Sequence, residues 1–94
     1  MNKIQINNLQ ELPKICGIYK VVDDNNNVLY VGQAKNIYQR WNKGHHMMGK
    51  ILNKCGTNAY IVWVKTPEWL LNRAENAAIS FYQPILNQKN APVI

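Results

Sequence analysis

Cysteine is scarce in this 94-residue chain, where Cys16 and Cys55 are the only two. A pair cannot supply a four-thiolate metal site, and with no secretory leader the two are expected to be reduced core thiols. Residues Met1 to Asn8 hold too many amides and too short an apolar run to be such a leader. No later run is long and apolar enough to span a bilayer. A soluble, cytoplasmic protein with no membrane partner is the expectation. Acidic residues are also few, five against eleven Lys and Arg, and the formal net charge of +6 favours polyanionic partners without naming one. Repeats and low-complexity tracts are absent, Asn25-Asn26-Asn27 being the nearest approach.

The remaining composition, 47% hydrophobic, suits one compact core and is too short for two. The expectation is a single domain over 1–94, with its core at about 14–87 and a loose tail at 88–94. Two apolar runs stand out, Gly17-Ile18-Tyr19-Lys20-Val21-Val22 and Val28-Leu29-Tyr30-Val31-Gly32, separated by Asp23-Asp24-Asn25-Asn26-Asn27. Such runs around a polar turn predict a β-hairpin. Each strand carries one tyrosine among small or aliphatic neighbours, and Arg40 follows within a helix, so the group is a candidate phosphate pocket.

Asn36 is placed to cap a helix from Ile37 toward Asn42 or Lys43, with Ile37 and Trp41 inward and Arg40 beside that stripe. Gly44 is expected to break it. A second helix is expected over His45 to Lys54, with Met47 or Met48, Ile51 and Leu52 inward, ending at Cys55-Gly56. Asn58 to Lys65 reads as a third strand buried on both faces. Thr66-Pro67-Glu68 reads as the start of a helix reaching Tyr82. Glu75 falls on the edge of that helix's apolar stripe and needs a partner there, Arg73 and Lys54 being candidates, because an unpaired carboxylate is costly to desolvate. Pro84 stops the helix.

Gly17-Ile18-Tyr19 and Tyr30-Val31-Gly32, at hairpin spacing and followed by Arg40, Glu75 and Asn87, make the chain resemble the GIY-YIG nuclease superfamily over roughly Lys14 to Asn87. The resemblance implies an α+β sandwich, a small three-stranded antiparallel sheet flanked by helices in β-β-α-(α)-β-α order. It also implies an endonuclease that hydrolyses DNA phosphodiester bonds, leaving a 5′ phosphate and a 3′ hydroxyl. Mg²⁺, or Mn²⁺ in its place, would sit on Glu75, since a hard ion that keeps its waters needs few protein oxygens. Tyr19 is the favoured base, Tyr30 would orient the attacking water or a phosphate, and Asn87 would tie the tail to the site.

Arg40, always charged and forked, can hold a phosphate bidentately. A phenol acts as a base at neutral pH only where cations favour its phenolate, and Arg40, Lys35 and the metal are the candidate sources. Gly32, Lys35, His46 and Asn87 complete the expected substrate contacts. Two positions depart from the family pattern. Gly44 stands where a histidine or tyrosine is usual, leaving His45 ahead of His46 as the replacement through a one-residue bulge. Gln33 stands where relatives in the repair branch often have lysine. Substrate would be DNA, branched or damaged forms included, with a protein partner as one source of specificity. Two other readings remain: a nucleic-acid-binding module of the same fold without turnover, and a protein-interaction domain docking through Trp69 or the tail Ala91-Pro92-Val93-Ile94.

Overall fold

A computed structural model describes residues 2–87. The expected tail and its Ala91–Ile94 docking segment lie outside the described residues. The hairpin forms as β2 (Gly17–Asp23) and β3 (Val28–Ala34), preceded by β1 (Lys3–Gln5) and followed by β4 (Ala59–Lys65). Its tip is organised by Asp23, whose Oδ1 accepts from the N–H groups of Asn25 and Asn27, both at 2.9 Å, while Asn26 takes φ +65°. Asparagine tolerates that left-handed backbone better than most residues. The Asn27 side chain, donating Nδ2–H to Oδ2 at 3.1 Å, and then these backbone N–H groups hold the Asp23 carboxyl below its usual pKa.

The sheet has four antiparallel strands in the order β1-β4-β2-β3. It therefore exceeds the expected three by β1, which pairs Ile4 with Ile61 across the chain. Three residues, two of them polar, carry too little alternation to mark a strand. β2 lies between β4 and β3, and among the described residues β3 is left as an edge.

Helices cover the two faces. On one lie α1 (Ile37–Asn42) and α2 (Met48–Cys55), with Ile37, Trp41 and Ile51 at most 1% exposed against Tyr19, Val21 and Ile61. Asn36 Oδ1 accepts the Gln39 N–H at 3.0 Å, and the carbonyls of Ile15 and Pro13 take the N–H groups of Ile37 and Tyr38. The first donors of α1 are thus satisfied by the segment leading into the hairpin. Gly44, at φ +94°, ends this stretch. His45 and His46 lie in the following turn, outside the helix expected there, and Leu52 of α2 faces solvent.

On the other face α3 (Leu71–Tyr82) packs on β3 and β2. It starts later than expected, after a 3-10 turn at Glu68–Leu70, and Thr66 Oγ1 donates to the Val64 carbonyl instead of capping the helix. Its apolar stripe is only partly covered, Phe81 being 79% exposed, and Val64 of β4 is 61% exposed. The third expected strand is thus covered on both faces at its start and open at its end. A last 3-10 turn, Ile85–Asn87, returns the chain to β3. Among the described residues no helix is long and apolar enough to cross a membrane.

Candidate active site

Pairing in the hairpin places Tyr19 directly opposite Gly32 and Val21 opposite Tyr30. Paired residues share a face, so both tyrosines point toward α1, their rings 6.4 Å apart. A Cβ on Gly32 would fall 2.5 Å from Tyr19 Oη. The buried Gly32 therefore offers substrate no side chain; its bareness makes room for the phenol.

His45 meets that phenol. The residue is 5% exposed, and its ring stacks on Trp41 with centroids 4.0 Å apart. Burial first, then the charges of His46 and Arg40, lower its pKa to about 4, so the ring is neutral at pH 7. Nδ1 accepts the Met47 N–H at 3.0 Å. A backbone amide can only donate, so the ring proton resides on Nε2. Nε2 lies 2.7 Å from Tyr19 Oη and donates to it. His45 cannot receive the Tyr19 proton in this state; it supplies one to the phenol oxygen.

Burial raises the Tyr19 pKa well above its ordinary value, while the Arg40 guanidinium beside it pulls the other way. Tyr30 is likewise raised, by burial and then by Glu75, against Arg40. Cations were expected to favour phenolate here. Arg40 acts in that sense on both rings, but burial outweighs it. Lys35 instead pairs with Glu68 at 3.0 Å, both side chains well exposed. A cleft of about 580 Å³ opens on the side of His45 and Arg40, the two residues that act on Tyr19, and is lined among others by Lys35, Lys43 and His46. Lys35, Arg40 and Lys43 give its lining three positive side chains, a charge that favours a polyanion.

Glu75 lies outside this cleft. Alternation puts Gln33, opposite Ile18, on the face covered by α3, and Gln33 Nε2 donates to Glu75 Oε1 at 2.6 Å and to Asn72 Oδ1 at 2.7 Å. The partner of Glu75 is thus an amide, not Arg73 or Lys54. Its carboxylate still raises the pKa of both Tyr19 and Tyr30, so its charge reaches them across the edge strand. Asn87 spends its side chain on one residue: Oδ1 accepts the Val31 N–H at 2.7 Å and Nδ2 donates to the Val31 carbonyl at 2.9 Å. It closes the free edge of β3 and ties the last turn to the hairpin, rather than reaching into the cleft.

No cluster of three or more His, Cys, Asp or Glu that could hold an ion occurs among the described residues. The donors present, a single half-buried carboxylate with Oε1 engaged by an amide, suit an ion that keeps most of its waters, such as Mg²⁺, and do not suit one enclosed by protein ligands. Sequence reasoning missed Asn72 and marked Gln33 only as a departure from the family pattern. Nothing local marks either, since Gln33 and Glu75 are 42 residues apart.

Known proteins resemble the chain in sequence and in fold. The family described as the GIY-YIG catalytic domain matches residues 15–90. Among curated relatives, UvrABC system protein C of Christiangramia forsetii is 37% identical over 86 residues, covering 84% of this chain and 14% of the relative. The protein of that name from Psychrobacter cryohalolentis is 29% identical over 84 residues, covering 89% of this chain and 13% of the relative. The chain thus spans about one-seventh of their length. The GIY-YIG N-terminal endonuclease domain of UvrC from Thermotoga maritima, solved with its catalytic magnesium, superposes with a TM-score of 0.69 at 19% identity, covering 86% of this chain and 92% of that one. With the paired signatures, a shared fold and a family match over most of its length, the chain belongs to the GIY-YIG family.

Proposed function

We propose that the chain is a metal-dependent endonuclease that hydrolyses DNA phosphodiester bonds. The observation carrying this reading is the Tyr19 oxygen, which accepts from His45 Nε2–H and lies beside the Arg40 guanidinium next to a basic cleft. Donors around an oxygen stabilise its negative form, and a phenolate at that point would take a proton from attacking water. Tyr30 orients that water. Arg40 and Lys43 grip the phosphate, with Lys35 and the exposed His46 at the cleft wall. Glu75, whose charge reaches both tyrosines, would hold a magnesium ion. When bound, that ion would supply neutralisation of the charge developing on the scissile phosphate.

The positive lining of the cleft and the family support DNA as the substrate class. A protein partner, or further chain of the kind present in the much longer relatives, would supply specificity. A panel of duplex, single-stranded, flap and branched DNA, with and without Mg²⁺, tests the reading. Cleavage should require the ion and should be lost in Glu75→Ala with the circular dichroism spectrum unchanged. Undiminished cutting by that variant would remove Glu75 from the mechanism.

One observation favours a second reading, binding without turnover: burial holds the Tyr19 proton tightly in the free protein. In that case the chain binds DNA, with affinity falling steeply as salt is added, and cuts none of the panel.

A further inference from the structure

The carboxylate assigned to the ion is not held by α3 alone. Glu75 is half-buried, and Gln33 reaches it from the edge strand at 2.6 Å while bonding Asn72, one turn earlier on the same helix, at 2.7 Å. A carboxylate can only accept, so the Gln33 amide must face it with its NH₂ group. The second hydrogen of that NH₂ is spent on Asn72 Oδ1, which stops the amide from turning away. Both oxygens bridged by the amide belong to α3, so one side chain locks the helix to β3 at the position where the ligand projects. The lock engages Oε1 and is electrically neutral, leaving the full negative charge of Glu75 for a cation.

From this arrangement we infer that Gln33, braced by Asn72, is a positioning residue that presets Glu75 for divalent-cation binding. The inference rests on the proposed role of Glu75 and adds a residue to it. Removing the hydrogen-bond partner behind a metal ligand typically lowers metal affinity by about 10–100-fold. Gln33→Leu keeps the bulk and removes the amide. Asn72→Ala removes only the brace.

The test is calorimetric titration of the full chain with Mn²⁺ and with Mg²⁺, paired with thermal melts and with cleavage rates across Mg²⁺ concentration. Wild type should bind one ion that Glu75→Gln abolishes. Gln33→Leu should weaken that binding about tenfold or more with little change in Tm, and Asn72→Ala should weaken it less. Cleavage by Gln33→Leu should show a raised Mg²⁺ midpoint and a rate that recovers at saturating ion, a split that a general loss of packing would not give. In the Glu75→Gln background, Gln33→Leu should add nothing. Unaltered ion affinity in Gln33→Leu, with Glu75→Gln still abolishing binding, would overturn the inference and leave the role of Glu75 standing. Ion binding by Glu75→Gln equal to wild type would overturn both.

Discussion

The phenol of Tyr19 lies over Gly32, its cross-strand partner, in space that any Cβ would occupy: the hydrogen-bonding oxygen would be 2.5 Å from the added carbon. The two signature triplets are therefore one packing unit. Gly32→Ala should displace the Tyr19 ring, break its bond to His45, and destabilise the chain by about 1–3 kcal/mol as overpacking does. Urea unfolding measures this. Gly49→Ala, in a helix where an added Cβ meets nothing within 4 Å, is the control and should be neutral or stabilising by up to about 1 kcal/mol.

Acid should weaken the fold through His45. Its folded pKa is about 4 against 6.5 for the free ring, so between those values the unfolded chain binds more protons. That contribution is fully present above pH 6.5, is lost as pH falls toward 4, and is on the order of 3 kcal/mol. Unfolding free energies at pH 7 and pH 4.5 should differ in this sense, and His45→Gln should flatten the slope. An equally steep fall in that variant would assign the acid sensitivity elsewhere.

Cleavage should rise with pH well beyond neutrality, because burial keeps Tyr19 protonated. Tyr19→Phe should lower the rate by about 10²–10⁴-fold, the usual contribution of a positioned base, and abolish the alkaline rise. Retention of the rise in Tyr19→Phe would transfer the base role to another group.

Asn87→Ala removes both bonds to Val31. The expected loss is about 1–3 kcal/mol, with faster exchange of the Val31 amide proton. Asn87→Asp can still accept but cannot donate to the carbonyl, and should fall between the two.

Lys35→Met should leave stability within about 1 kcal/mol, since its pair with Glu68 is exposed. If Lys35 contacts phosphate, DNA affinity should fall and the dependence of log affinity on log salt should flatten by about one. An unchanged salt slope would take Lys35 out of the interface.

Much of this was legible in the chain because it depends on local pattern. The hairpin, the Asn36 cap and the inward Ile37 and Trp41 follow from alternation, turn chemistry and helical spacing. What escaped depends on contacts between distant segments. β1 gains its identity only by pairing with β4, and Glu75 meets Gln33 across 42 residues. The open stripe on α3 looked like core because composition states what can be buried, not how much sheet is available to bury it. His45 is singled out by the family resemblance, next to the Gly44 position, but the side of its ring carrying the proton is readable only with the Met47 amide in place.

The Asp23-tethered tip has a reach beyond its own loop. A strand's side chains swap sides with every single-residue shift, so a hairpin closed one position out of step would turn Tyr30 away from Tyr19 and send Gln33 away from α3 in the same stroke. Asp23 and the asparagines it gathers thus guard both halves of the chemistry from the end of the hairpin remote from Gly17 and Gly32. Lesions there should produce a mixture of competent and inert molecules, recognisable as a reduced active fraction with unaltered turnover in the survivors.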